Sequence, residues 1–175
     1  FSFFNGICCI LHSKRHCIGR LAMLFSEQGS ARVRFKVKDK IDITCIRPAT
    51  VCGFSERLRL DLTVNKLTYD AFYKKKIFVD GGNQIRPNIH IKDLIAAIDC
   101  LTFSKKKLRH NIYNAGFENL KISEIANKIK SKTNAKIKVN KNRDIRSYRQ
   151  DSSRLLKFGF KPKYNIDFAI DELIH

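Results

Sequence analysis

The sequence predicts an α/β fold, because short β-branched segments alternate with segments whose apolar residues recur at helical spacing. The predicted strands are Ile41–Ile46, Lys76–Val79, Asn111–Ala115 and Ala135–Val139. The helical stripes are Leu60, Val64, Leu67 and Ala71; Leu94, Ala97, Ile98 and Leu101; Ile122, Ile125, Ala126 and Ile129; and Ile166, Ala169, Ile170 and Leu173. In a strand–loop–helix order, ligands bind at the carboxyl ends of the strands.

The ends of these elements carry recognisable signals. The first helix is predicted over Arg59–Lys74, where terminal lysines complement the negative end of the helix dipole. Asp93 is predicted as the N-cap of the second helix, and Asn165 as the N-cap of the last. His90 lies on an alternating strand between two isoleucines, which predicts a hydrogen-bonded scaffold histidine.

The stretch Asp80–Asp93 is the centre of the functional prediction. Gly81 and Gly82 permit the positive φ angles of a tight turn, and Pro87 biases Arg86 toward extended geometry. A guanidinium on a stiff extended segment offers fixed, paired donors for a diphosphate. An ordinary hairpin with a solvated arginine is the alternative interpretation.

Composition limits the classes of partner. The formal net charge is +19, but the excess is spread along the chain and no nucleic-acid-binding signature accompanies it, so nucleic acid is not favoured. The apolar segment at the amino terminus is too short to span a bilayer, so no membrane partner is predicted. Six cysteines without a secretory signal indicate reduced thiols in a cytoplasm.

The first 40 residues are the least orderly part. Cys8, Cys9, His12, His16 and Cys17 form a cluster whose donors suit zinc, but their spacing matches no common zinc module, and no metal site is predicted. The remaining cysteines lie in apolar contexts, where a thiol acts as a small hydrophobe. Because the chain begins with Phe1, a fragment or an interrupted reading frame is expected.

Three blocks in order resemble the extended short-chain dehydrogenase/reductase family, which contains the NAD-dependent nucleotide-sugar epimerases and dehydratases. Gly81–Leu94 resembles that family's G-x-x-x-x-R-x-x-[IV]-H-[IV]-x-D segment. Ile46–Gly53 resembles its L-R-x-x-x-V-Y-G segment. Asp144–Asp151 with Leu156–Lys163 resembles its D-x-R-S-Y-R-x-D and L-G-F-x-P-K ending.

The resemblance implies roles for single residues. It implies that Arg86 and Arg146 grip the nucleotide diphosphate, with Arg149 a lesser candidate. It also implies that Asn65 lies near the nucleotide-sugar, although an exposed helix asparagine is the equal alternative. The resemblance further implies that three residues lie near the substrate and the nicotinamide: Arg47, Pro48 and Thr50. Thr50 and Cys52 depart from the asparagine and tyrosine that the family commonly has.

The family's catalytic Tyr-x-x-x-Lys pair lies on one helix, where the lysine lowers the pKa of the tyrosine. Lys14 is the residue that resembles the lysine of this pair, but Ile10 occupies the tyrosine position. None of the five tyrosines has a lysine four residues later, and no Gly-x-x-Gly-x-x-Gly loop is present. Lys14 as a surface lysine of a degraded or out-of-frame leader is the alternative.

The resemblance therefore implies the C-terminal portion of a Rossmann-type fold with a small α/β substrate-binding domain. Residues 1–40 are expected to be a divergent remnant of the Rossmann domain, and residues 41–175 its last strands plus the nucleotide-sugar-binding domain. The implied function is that of a fragment of an NAD- or NADP-dependent epimerase or dehydratase, homodimeric when intact. Alone, the chain is expected to be inactive. The alternatives are a basic nucleic-acid-binding protein and a non-functional pseudogene product.

Overall fold

The computed structural model describes residues 7–13, 20–24, 41–140 and 146–175, and the description below concerns these residues. The strands are β1 Ile7–Ser13, β2 Arg20–Leu24, β3 Ile41–Pro48, β4 Thr50–Cys52, β5 Lys76–Asp80, β6 Ile85–His90, β7 Ile112–Ala115, β8 Glu118–Lys121 and β9 Lys136–Asn140. The helices are α1 Thr63–Lys74, α2 Ile91–Phe103, α3 Ile122–Thr133, α4 Ser153–Phe158 and α5 Ile166–Ile174.

The strands form three sheets. The largest has the order β2-β1-β3-β7, in which β1 is antiparallel to both β2 and β3 while β3 and β7 are parallel. The second has the order β4-β6-β8, with β4 parallel and β8 antiparallel to β6. The third pairs β5 with β9 in parallel. Strands alternating with helices confirm the predicted α/β class.

Two buried clusters hold these layers together. The first cluster joins α1, α3 and α5 to β5, and its members include Val64, Ile77, Ile125, Ile129 and Ile170. The second joins α2 and α4 to β3 and β7, and its members include Ile46, Ile89, Leu101, Tyr113 and Leu155. Strand β6 contributes Ile89 to the second cluster, and its last residue, His90, contacts Glu172 on α5, a helix of the first cluster.

Several predicted element ends are confirmed. Gly81 and Gly82 have φ angles of 77° and 103°, as a tight turn after β5 requires. The side chain of Asn165 accepts the N–H of Phe168 at 2.9 Å and caps α5. All four apolar residues of the predicted third stripe are buried on α3.

Two predictions about helix starts are wrong. Helix α1 begins at Thr63 rather than Arg59, and Leu60 is 39% exposed, because turns occupy the preceding residues. Helix α2 begins at Ile91, so its N-cap is His90, whose side chain accepts the N–H of Lys92, and not Asp93. Among the described residues, no helix has the length and apolarity needed to cross a membrane.

Candidate functional site

Residues 146–152, called here the arginine loop, are bonded along their length to neighbouring strands. The N–H of Tyr148 donates to the carbonyl of Ile85 at 3.2 Å, and the N–H of Ile85 donates to the hydroxyl of Ser147 at 3.0 Å. This reciprocal pair places the start of the loop against the first residue of β6.

The second half of the arginine loop is held by Gln150. Its N–H donates to Oδ1 of Asn119 at 2.9 Å, and Nδ2 of Asn119 donates back to the carbonyl of Gln150 at 3.2 Å. Nε2 of Gln150 donates to the carbonyl of Arg47 at 2.8 Å. The loop therefore connects β8 to the carboxyl end of β3.

The loop ends against Gly116, which follows β7. The hydroxyl of Ser152 accepts the N–H of Gly116 at 2.9 Å and donates to its carbonyl at 2.7 Å. A Cβ atom at Gly116 would lie 2.5 Å from Cβ of Ala49 and 2.6 Å from Oε1 of Gln150. Glycine is required here because the loop and the end of β3 approach the backbone closely.

Arg86 lies beneath the arginine loop, since it is only 8% exposed. Its Nη1 donates to the carbonyl of Ile85 at 3.2 Å and to the carbonyl of Arg146. Its Cζ lies 5.0 Å from the centre of the Tyr148 ring, a cation–π distance. The structure thus bonds Arg86 to the backbone of Arg146, and the joint grip of both arginines on a diphosphate stays a prediction.

Three further arginines of the prediction lie at the surface. The side chains of Arg146 and Arg149 are exposed on the arginine loop, and Arg47 is exposed at the end of β3. Gln150 bonds the arginine loop to the backbone of Arg47, so the segments that carry the three arginines are neighbours. Guanidinium groups bind phosphate and carboxylate groups in paired geometry, so this region can hold an anion.

Pro48 and Thr50 are half-buried where β3 passes into β4. The intervening Ala49 donates its N–H to the carbonyl of Ala115 at 2.8 Å, which continues the parallel β3–β7 pairing to the strand ends. These positions lie at the carboxyl end of β3, beside its parallel neighbour β7.

Asn65 is not an exposed helix asparagine, since it is only 4% exposed. Its Oδ1 accepts the N–H of Gly53 at 3.2 Å, and its Nδ2 donates to the carbonyl of Arg59 at 3.2 Å. Asn65 therefore holds the loop between β4 and α1, and both ends of its amide are engaged.

His90 is a buried, hydrogen-bonded residue, as predicted. Its Nδ1 accepts the N–H of Lys92 at 3.1 Å, and Nε2 lies 3.2 Å from Oε2 of Glu172 on α5. Burial lowers the pKa of His90 and favours the neutral ring. Glu172 also accepts hydrogen bonds from Nζ of Lys92 and from the N–H of Phe54. Burial alone would raise the pKa of Glu172, but these bonds outweigh burial and lower it.

Asp93 and Cys52 have structural environments. The carboxylate of Asp93 is buried and accepts the N–H groups of Lys163 and Tyr164 at 3.0 to 3.1 Å, so it ties α2 to the segment before α5. Cys52 is a buried thiol that donates to the carbonyl of Ile89, and burial raises its pKa to about 12. Within the described residues, no group of three histidine, cysteine or acidic side chains could hold a metal.

Only some of the amino-terminal residues named in the sequence analysis belong to the described part of the chain. Lys14, His16 and Cys17 lie outside the described residues. Ile10, which occupies the expected tyrosine position, lies in strand β1. That segment is not the helix on which a Tyr-x-x-x-Lys pair aligns its side chains.

Sequence reasoning missed Asn119, Gln150 and Glu172. Asn119 and Gln150 are 31 residues apart, and Gln150 meets Arg47 across 103 residues. No periodicity or local motif encodes pairings over such distances. The signal that the sequence did offer was the concentration of arginines around Tyr148.

Solved structures of nucleotide-sugar enzymes share this architecture. The chain matches an NAD-dependent NDP-hexosamine 5,6-dehydratase of tunicamycin biosynthesis at a TM-score of 0.62 and 18% identity, covering 74% of this chain and 43% of that one. It matches the ADP-L-glycero-D-manno-heptose-6-epimerase of Helicobacter pylori at 0.60 and 20%, covering 73% and 42%. It matches the UDP-glucuronic acid 4-epimerase of Bacillus cereus, solved with UDP-glucuronic acid and NAD, at 0.61 and 20%, covering 73% and 44%.

Over the part that is covered, the chain therefore shares the fold of these nucleotide-sugar dehydratases and epimerases. It spans less than half the length of these structures. No family model matches its sequence.

Proposed function

We propose that this chain is a fragment of an NAD-dependent nucleotide-sugar epimerase or dehydratase and that it retains mainly substrate-binding elements. The observation that carries the proposal is the arginine loop, which is fixed to β6, β8 and the end of β3 while Arg146 and Arg149 remain exposed. A fixed backbone that presents guanidinium groups suits a nucleotide diphosphate, because the donors are already positioned before the ligand arrives.

We assign separate roles to the arginines. Arg146 and Arg149 face solvent and bind the diphosphate, while Arg86 supports the loop from below and adds its charge to the site. Asn65 supports the site indirectly, because its amide holds the loop that follows β4. The fold of the solved nucleotide-sugar enzymes supports a ligand of this class.

The intact enzyme would use NAD or NADP, which supplies hydride transfer to and from a sugar carbon. Arg47, Pro48 and Thr50 fit the edge of a dinucleotide crevice, because they lie at or just after the carboxyl end of β3, beside its parallel neighbour β7. In this proposal residues 41–175 combine the last Rossmann strands with the substrate domain, and residues 1–40 are a divergent remnant of the Rossmann domain.

The chain alone is expected to be inactive, because it has neither the glycine-rich loop nor the Tyr-x-x-x-Lys pair. Catalysis would then need the missing elements from a longer protein, which we place in the cytoplasm as a homodimer. Reduction of NAD by this chain with any nucleotide-sugar would contradict that expectation.

Isothermal titration of the chain with UDP-glucose, UDP-glucuronic acid and dTDP-glucose tests substrate binding. Glucose 1-phosphate serves as the ligand control. Arg146→Ala should weaken nucleotide-sugar binding about tenfold or more, since each charge-assisted bond contributes about 1.5 to 3 kcal/mol. The matched variant Arg109→Ala removes an exposed arginine from the α2–β7 connection and should leave affinity unchanged. Absence of binding to all nucleotide-sugars, or equal losses in both variants, would exclude this site.

A further inference from the structure

A strongly basic surface is formed by two stretches of chain that contain no aspartate or glutamate. Residues 100–117 and 152–166 each carry four lysines or arginines. All eight side chains are exposed, and they are called here the lysine surface: Lys105, Lys106, Lys107, Arg109, Arg154, Lys157, Lys161 and Lys163.

The two stretches are in direct contact. The ring of Tyr113 packs edge-on against Phe158 with centroids 5.8 Å apart, and Phe117 stacks on Phe160 at 5.5 Å. Nζ of Lys106 donates to the carbonyl of Phe158 at 3.4 Å. These contacts place residues 158–160 against the segment that follows α2.

The charge of this surface is not neutralised within the described part of the chain. None of the eight cations forms a salt bridge there, whereas Lys66, Lys74, Lys128 and Lys132 all do. The acidic residues that border the two stretches are Asp99, Glu118, Asp151 and Asp167, and Asp167 pairs with Lys128 instead. Bonds from Ser153 lower the pKa of Asp151, with smaller contributions from Lys157 and Arg154, so Asp151 offsets only one edge.

An aromatic side chain projects beside these lysines. Phe103 is the last residue of α2 and is 76% exposed, while Leu101, two residues earlier, is fully buried in the second core cluster. The triple lysine run begins two residues after Phe103. An exposed apolar ring next to a polybasic segment combines the two forces that attach proteins to anionic membrane surfaces.

We propose that the lysine surface docks this protein on an anionic lipid bilayer, with Phe103 entering the interfacial layer. Most of the cations are lysines, whose hydrated point charges suit attraction to a charged plane. Single-stranded nucleic acid would instead favour several exposed rings on which successive bases stack. Here Tyr113 and Phe160 are buried, which leaves Phe103 as the strongly exposed ring of these two stretches. The net charge of +19 adds long-range attraction.

Co-sedimentation with vesicles tests this proposal. The chain should bind phosphatidylcholine vesicles that contain about a third phosphatidylglycerol, and binding should fall steeply with salt. The triple variant Lys105→Gln, Lys107→Gln and Lys161→Gln should lower the partition coefficient about a hundredfold. Phe103→Ala should lower it about fivefold with an unchanged circular dichroism spectrum, because the ring is outside the core.

A matched control separates location from net charge. Lys76→Gln, Lys136→Gln and Lys138→Gln remove the same charge from the exposed face of the β5–β9 sheet and should lower partition no more than about threefold. Equal losses in the two triple variants would overturn the proposal, as would equal binding to neutral vesicles. Binding of single-stranded poly-uridine through the same lysines, without vesicle binding, would identify nucleic acid instead and would also overturn it.

Discussion

Replacing Arg86 by alanine should release the arginine loop from β6. The guanidinium donates to the carbonyls of Ile85 and Arg146 and lies against the ring of Tyr148. A hydrogen bond from a charged donor contributes about 1.5 to 3 kcal/mol, and a cation–π contact at a partly exposed site about 0.5 to 1 kcal/mol. Because the loop itself is exposed and solvent screens part of this, we expect a loss of about 3 kcal/mol in local stability.

Hydrogen exchange measures that loss at two amides with known acceptors. The N–H of Tyr148 bonds to Ile85, and the N–H of Gln150 bonds to Asn119. Exchange at both amides should become about a hundredfold faster in Arg86→Ala, because a loss of this size shifts the opening equilibrium by that factor. Amides of the first core cluster on α3 should keep their protection.

Two other variants sharpen the result. Arg86→Lys keeps the charge but lacks the planar fork, so it should restore only part of the protection. Arg149→Ala removes an exposed arginine from the same loop and should leave exchange unchanged. Unchanged exchange of Tyr148 and Gln150 in Arg86→Ala would show that the bonds between Gln150 and Asn119 suffice, and would refute a supporting role for Arg86.

Three further changes test the contacts around α2. Burial lowers the pKa of His90, so below about pH 6.5 the unfolded chain binds more protons than the folded one, and the free energy of unfolding falls as the pH drops. His90→Asn keeps a capping oxygen but cannot bind this proton. The variant should therefore flatten the pH dependence of stability measured by urea titration. Asp93→Ala should cost about 3 kcal/mol in urea denaturation, because the N–H groups of Lys163 and Tyr164 lose their acceptor. Gly53→Ala should lower the thermal midpoint by several degrees or more, since φ is 103° and a Cβ would lie 2.5 Å from Nε2 of His90.

Local sequence patterns were sufficient to predict most of the helices and strands. The stripe on α3 and the cap at Asn165 were predicted from spacing and residue type, and both are confirmed. The start of α1 was not, because Leu60 fits the helical spacing although it lies in a turn and is exposed. Periodicity alone does not distinguish the last residue of a turn from the first residue of a helix.

The role of Asp93 shows why some contacts escape sequence analysis. Aspartate before an apolar stripe favours an N-cap, but His90 caps the helix three residues earlier. The carboxylate then meets N–H groups that lie 70 and 71 residues further along the chain. A pairing of that separation depends on how α2 and the segment before α5 pack, which a single sequence does not encode locally.

The residues of the candidate site were named only through the family resemblance, and their ligand roles stay predictions. The resemblance implies that Arg86 and Arg146 grip a diphosphate. The structure directs Arg86 to the backbone carbonyl of Arg146 rather than to solvent, and the diphosphate role stays a prediction. Gln150 and Asn119 gave no sequence signal, although they fix the second half of the arginine loop.

The six residues of β6 explain why the stretch after Asp80 dominates both the fold and the proposed site. At one end, Arg86 supports the arginine loop; at the other, His90 caps α2 and contacts Glu172 on α5. Between them, Ile89 points into the second core cluster. A strand that supports a loop, caps a helix and fills a core restricts which residues fit its positions more strongly than an exposed hairpin does. This convergence argues against a merely solvated arginine at position 86.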